Sequence, residues 1–120
     1  MMSTALKVSF VVGLIALAYS CAERDPLLGA WLSLDENGKP FGDIAFNRSL
    51  FQYGGIDECP YTRQDRTIEI KCQFDSAFGE IRKLDTDSLE IYWNNRETIR
   101  YRRVSEEEAR KFRDSLLENL

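Results

Sequence analysis

From Leu27 onward, apolar residues recur at every second position over short runs, and each run ends in turn-forming residues. A period of two is that of strands with one buried face, which restricts the chain to a β architecture. Leu28, Ala30, Leu32 and Leu34 alternate before a turn at Asp35-Glu36-Asn37-Gly38. Ile44 and Phe46 form the next strand, Asn47-Arg48-Ser49 turns it, and Phe51 and Tyr53 share a face before Gly54-Gly55. In the clearest strand Ile68, Ile70, Cys72 and Phe74 line one face, and Thr67, Glu69, Lys71 and Gln73 line the other. Leu89, Ile91 and Trp93 form another strand, Asn94-Asn95 supplies a hairpin turn, and Ile99 and Tyr101 alternate on the return.

The period then changes. Ser105 followed by Glu108 is a capping-box signal, and Ala109, Phe112, Leu116 and Leu120 recur at helical spacing. Glu106, Glu107 and Glu108 fall in the first turn, where the helix dipole favours anions. An amphipathic helix is therefore predicted over residues 105–119, packed on the sheet. Seven or eight short strands in hairpin succession and one late helix predict a mainly all-β domain: a small antiparallel β-barrel with one C-terminal α-helix. Closure leaves no strand edge exposed.

Ahead of this domain, Lys7 precedes an apolar run from Val8 to Ala18, which ends at Tyr19-Ser20-Cys21 and the charged residues Glu23, Arg24 and Asp25. That run is shorter than the roughly 20 apolar residues of a spanning helix. Residues 1–20 are expected to be a cleaved signal peptide, residues 21–26 a polar tether, and residues 27–120 one domain with a single core. Without Lys7 the net charge is one unit more negative than the −4 of the whole chain. Such acidity argues against nucleic acid and against polybasic attachment to anionic membrane.

Ala18-Tyr19-Ser20-Cys21 resembles the lipobox of bacterial lipoproteins, in which the cysteine becomes the lipid-bearing N-terminus. An ordinary secretory cut after Ser20 or Ala22 is the alternative, giving a soluble periplasmic or secreted protein. Of the three cysteines, lipidation of Cys21 would leave Cys59 and Cys72 as a pair, with no odd thiol in an oxidising compartment. If Asp65-Arg66 is a two-residue hairpin loop, Gln64 faces Thr67, Tyr61 faces Ile70, and Cys59 falls opposite Cys72, so a disulfide is expected between them. The pair lacks Cys-x-x-Cys spacing and has no second pair beside it, which argues against metal or redox chemistry.

Three segments carry a family resemblance. Leu28-Gly29-Ala30-Trp31 resembles the Gly-x-Trp opening of lipocalin-like domains, and Ile44-Ala45-Phe46-Asn47-Arg48-Ser49-Leu50-Phe51 is similar to their second-strand hairpin. Asp87-Ser88-Leu89-Glu90-Ile91, followed by Tyr101-Arg102-Arg103-Val104, resembles the closing strands of small lipocalin-like lipoproteins. The resemblance covers most of the mature chain and implies a lipocalin-like barrel acting as a binding module of the cell envelope.

The chain contains no histidine. Ser-His and Cys-His nucleophile activation, histidine acid/base work and His-ligated zinc are thereby excluded. Asp57 and Glu58 beside Gly54-Gly55 read as a solvated turn, because adjacent strand residues point to opposite faces and regularly spaced calcium ligands are lacking. No cofactor and no metal are expected, and no catalysis. Asn47-Arg48-Ser49 is a glycosylation sequon, meaningful only in a eukaryotic source.

Two groups remain as candidate binding features. Trp31, Phe46, Phe51, Tyr53, Phe74, Trp93 and Tyr101 would line an apolar pocket or fill the core, and filling is favoured at this length. Arg96, Arg100 and Arg102, with Arg82, Lys83 and Arg103 nearby, concentrate positive charge on the later strands as a candidate partner face; Arg100 and Arg102 share the outward side. Pairing with Glu90, Glu97 or the acidic helix start is the ordinary alternative. The expectation is an exported, lipid-anchored, non-enzymatic module binding a small apolar ligand or a protein. A periplasmic inhibitor or immunity protein that blocks an enzyme through a loop or the arginine face is the alternative.

Overall fold

The computed structural model describes residues 25–55 and 57–119; the expected signal peptide, Cys21 and Leu120 lie outside this range. Eight strands follow one another: β1 (Gly29–Leu34), β2 (Pro40–Phe46), β3 (Leu50–Tyr53), β4 (Asp57–Gln64), β5 (Thr67–Lys71), β6 (Ser76–Leu84), β7 (Ser88–Trp93) and β8 (Thr98–Val104). Each pairs antiparallel with the next, and β8 returns to pair with β1, closing the barrel. Helix α1 (Glu106–Glu118) follows directly.

The core draws on every strand: Trp31, Ile44, Phe46, Phe51, Cys59, Ile68, Ile70, Ile81, Leu89, Ile91, Trp93 and Tyr101 are all buried within one cluster. Register explains their meeting, since directly opposed residues point to the same face of the sheet. Trp31 faces Ile44, Phe46 faces Phe51, Phe51 faces Cys59, and Leu89 faces Tyr101.

Strand β1 departs from the expected pattern. Trp31 and Ser33 point into the barrel, whereas Ala30 and Leu32 point outward and are buried beneath α1 with Val104, Ala109 and Phe112. Of the alternating row Leu28, Ala30, Leu32 and Leu34, the middle two thus pack under the helix, whereas Leu28 packs against the barrel core. Both faces of β1 are buried, so alternation alone could not tell inside from outside.

The strand expected to run through Phe74 stops at Lys71. There the Cys72 amide donates to the Asp75 carbonyl (2.8 Å) and Asp75 Oδ1 accepts from the Ser76 amide (2.8 Å), closing a tight turn. Strand β6 had no clear signal in the sequence because its inward row, Ala77, Gly79 and Ile81, contains two small residues. A Cβ on Gly79 would lie 2.8 Å from Ile91 and 3.0 Å from the Trp93 ring. The small residue makes room for the indole.

Helix α1 begins where expected: Ser105 Oγ accepts from the Glu108 amide (3.1 Å). Its docking is fixed by Arg113, which pairs with the buried Asp43 of β2 and lies against Gly55.

Candidate functional site

The two ends of the barrel are built differently. At one end, residues 25–28 fold across the opening. Asp25 accepts from the Leu27 amide (3.0 Å) and pairs with Arg63 of β4, and Leu27 is fully buried. The Leu27 carbonyl accepts from Trp31 Nε1 (3.0 Å). Arg103 of β8 lies 4.2 Å from the Trp31 ring centroid, a cation–π arrangement. Its guanidinium donates to the carbonyls of Leu28 (2.7 Å), Pro26 and Thr86. A planar fork with five donors suits such divergent acceptors.

Gly29 follows from the same geometry. It has φ +125°, and a Cβ there would sit 2.6 Å from Arg103 Nη1. The Gly-x-Trp segment and the Tyr101-Arg102-Arg103-Val104 segment therefore meet at this closed end. Arg103 was not singled out for this role from the sequence, yet the signal exists: with Tyr101 inward, a period of two turns Arg103 inward as well.

At the same end Phe46 packs at 5.2 Å from both Phe51 and Tyr61, centroid to centroid. Tyr61 donates to the Asn47 carbonyl; burial raises its pKa, as does the nearby Asp25 charge, while Arg63 opposes them. Trp93 Nε1 donates to Tyr101 Oη (2.8 Å). Burial holds the Tyr101 hydroxyl protonated well beyond the ordinary tyrosine range, against the Trp93 hydrogen bond that favours ionisation.

Trp31, Phe46, Phe51, Trp93 and Tyr101 thus form the core. Tyr53 and Phe74 do not join them. Tyr53 is the last residue of β3, where the wall ends, and is 61% exposed; Phe74 stands on the β5–β6 turn and is 93% exposed. Both lie at the far end of the barrel, opposite Leu27. The Cys59–Cys72 disulfide staples that turn to β4, as the hairpin register predicts.

Of Arg96, Arg100 and Arg102, Arg102 alone forms an ion pair among the described residues. Arg96 sits in the β7–β8 turn with φ +72°. Arg102 lies 3.4 Å from Glu108 at the start of α1. Arg100 faces Glu90 across the β7–β8 ladder, and Arg82 stacks 4.5 Å from the Tyr92 ring.

Among the described residues no group of three histidine, cysteine or carboxylate side chains is placed to hold a metal, and no helix is long and apolar enough to cross a membrane. A shallow depression on the outer face of β4 to β6 is lined by Thr62, Gln64, Thr67, Glu69 and Phe78. The chain matches no protein-family model, no curated protein and no solved structure.

Proposed function

We propose that this chain is an exported, non-enzymatic binding module of the cell envelope, anchored through a lipid on Cys21, whose partner is a protein rather than a small molecule in the barrel. The observation that carries the reading is the buried cluster to which all eight strands contribute side chains, while Phe74 stands outside it. Aromatics committed to the core favour binding through the surface. The lipocalin-like reading rests on the Gly29-x-Trp31 opening in the sequence, and the closed eight-stranded antiparallel barrel is consistent with it. The absence of histidine from the sequence supports a non-enzymatic role. A rigid, disulfide-stapled barrel also suits the narrower role of an inhibitor or immunity protein, for which the exposed Phe74 turn is the natural contact.

The test is native mass spectrometry of the protein gently extracted from its host, with the denatured mass of the same sample. A diacylglyceryl mass on Cys21 and a native peak carrying a second protein are the expected results. A small molecule that leaves on denaturation would overturn the protein-partner reading, and an unmodified N-terminus would overturn the lipid anchor.

A further inference from the structure

We infer that the Phe74 turn and the carboxylates around it form the docking site for a basic protein surface carrying an apolar socket. This deepens the protein-partner reading and rests on it.

Phe74 has almost none of its surface buried by its own chain, at 93% exposed. Yet it is held on a rigid support. The turn is closed by the Cys72 amide on the Asp75 carbonyl, and Cys72 is bonded covalently to Cys59, which is buried in the core. An aromatic ring presented on a pre-ordered turn loses little conformational freedom on binding, and single aromatic anchors of this kind dominate many interfaces. At the same end Tyr53 adds a second exposed ring, and Asp57 lies directly opposite it in the β3–β4 ladder.

Charge selects the partner. Asp57, Glu58 and Asp75 are exposed, and among the described residues none of them forms an ion pair. Lys71, the nearest cation along β5, is engaged 3.4 Å from Glu69. Exposed rings with carboxylates free of ion pairs at the same end complement lysine and arginine surrounding an apolar pocket, whereas anionic phospholipid would be repelled. Position argues the same way. A lipid on Cys21 is joined to Asp25 through a reach of at most about 14 Å, and Asp25 belongs to the opposite end of the barrel.

The experiment places a photoreactive benzophenone amino acid at position 74 of the full-length protein in its host, with position 78 on the outer wall as control. The captured protein is then purified and titrated against the wild type and two variants. The expected result is an adduct at 74 and not at 78, with a protein rich in lysine and arginine. Phe74→Ala should raise its Kd at least about thirtyfold. The triple variant Asp57→Asn/Glu58→Gln/Asp75→Asn should slow association about tenfold and flatten its salt dependence.

An adduct at 78 alone would overturn the site and leave the protein-partner reading standing. An adduct at neither position, with a small molecule in the native mass spectrum, would overturn both. Sedimentation with phosphatidylglycerol vesicles that Phe74→Ala abolishes would identify membrane as the occupant and overturn the basic-protein assignment. Binding unaffected by either variant would overturn it as well.

Discussion

The guanidinium of Arg103 lies over the ring of Trp31 and ties the last strand of the barrel to the chain that enters the first. One side chain thus joins β8, β1 and the segment that closes the end. Its three carbonyl acceptors belong to Pro26, Leu28 and Thr86, each outside the regular strands. Arg103 satisfies backbone groups that the barrel ladder leaves over.

Arg103→Lys is expected to lower stability by about 2 kcal/mol, because an ammonium cannot reach three divergent carbonyls in the fork geometry. Urea unfolding with an unchanged slope is the measurement. A loss below about 0.5 kcal/mol would mean that the contact is incidental.

The Cys59–Cys72 bridge spans 13 residues. Replacing both cysteines with alanine should cost about 3 kcal/mol by freeing the unfolded chain. Calorimetry with and without reductant checks this: the wild type should lose thermal stability on reduction, and the double variant should not respond.

Asp43 is buried, at 5% side-chain exposure, beneath Arg113 of the helix, which is 31% exposed. Removing the guanidinium alone strands a buried carboxylate. Arg113→Met should therefore destabilise by about 3 kcal/mol, and Asp43→Leu/Arg113→Met should recover most of that loss. If the double variant is no better than the single one, the helix is held by its apolar contacts and not by this pair.

Tyr101 and Tyr61 both have raised pKa values in the folded state, from burial in the first place. The unfolded chain ionises these groups near pH 10 and the folded chain resists doing so, so the unfolded state holds fewer protons there. The stabilisation is fully present below about pH 10 and is lost as the pH rises above it. Chemical unfolding at pH 9, 10 and 11 should show stability falling, and Tyr101→Phe should flatten the fall. Equal slopes in the two proteins would contradict the assignment to Tyr101.

Much of this barrel was legible in the chain. The Asp65-Arg66 turn set the β4–β5 register, with Tyr61 opposite Ile70, and that register named the disulfide partners. Ser105 and Glu108 marked the start of the helix. These signals are local: a hairpin turn fixes register over the residues beside it, and a cap fixes the end of its own helix.

The binding features were read less completely. The period of two that placed Ile68 and Ile70 inward was carried on to Phe74, but the strand had already ended in the turn closed by Asp75. Arg96 sits in the β7–β8 turn, Arg100 opposite Glu90 on the ladder and Arg102 beside Glu108 of the helix, placements that closeness in sequence does not reveal.

By itself the sequence determined the kind of elements, the register of the β4–β5 hairpin with its disulfide and the start of the helix. Tertiary structure decided which face of β1 entered the barrel, that Arg103 would close one end over Trp31, and that Phe74 would be displayed at the other. The physical reason is that alternation defines two faces without naming the inner one. The choice was made only when β8 paired with β1 and α1 covered Ala30 and Leu32, contacts between residues far apart in the chain.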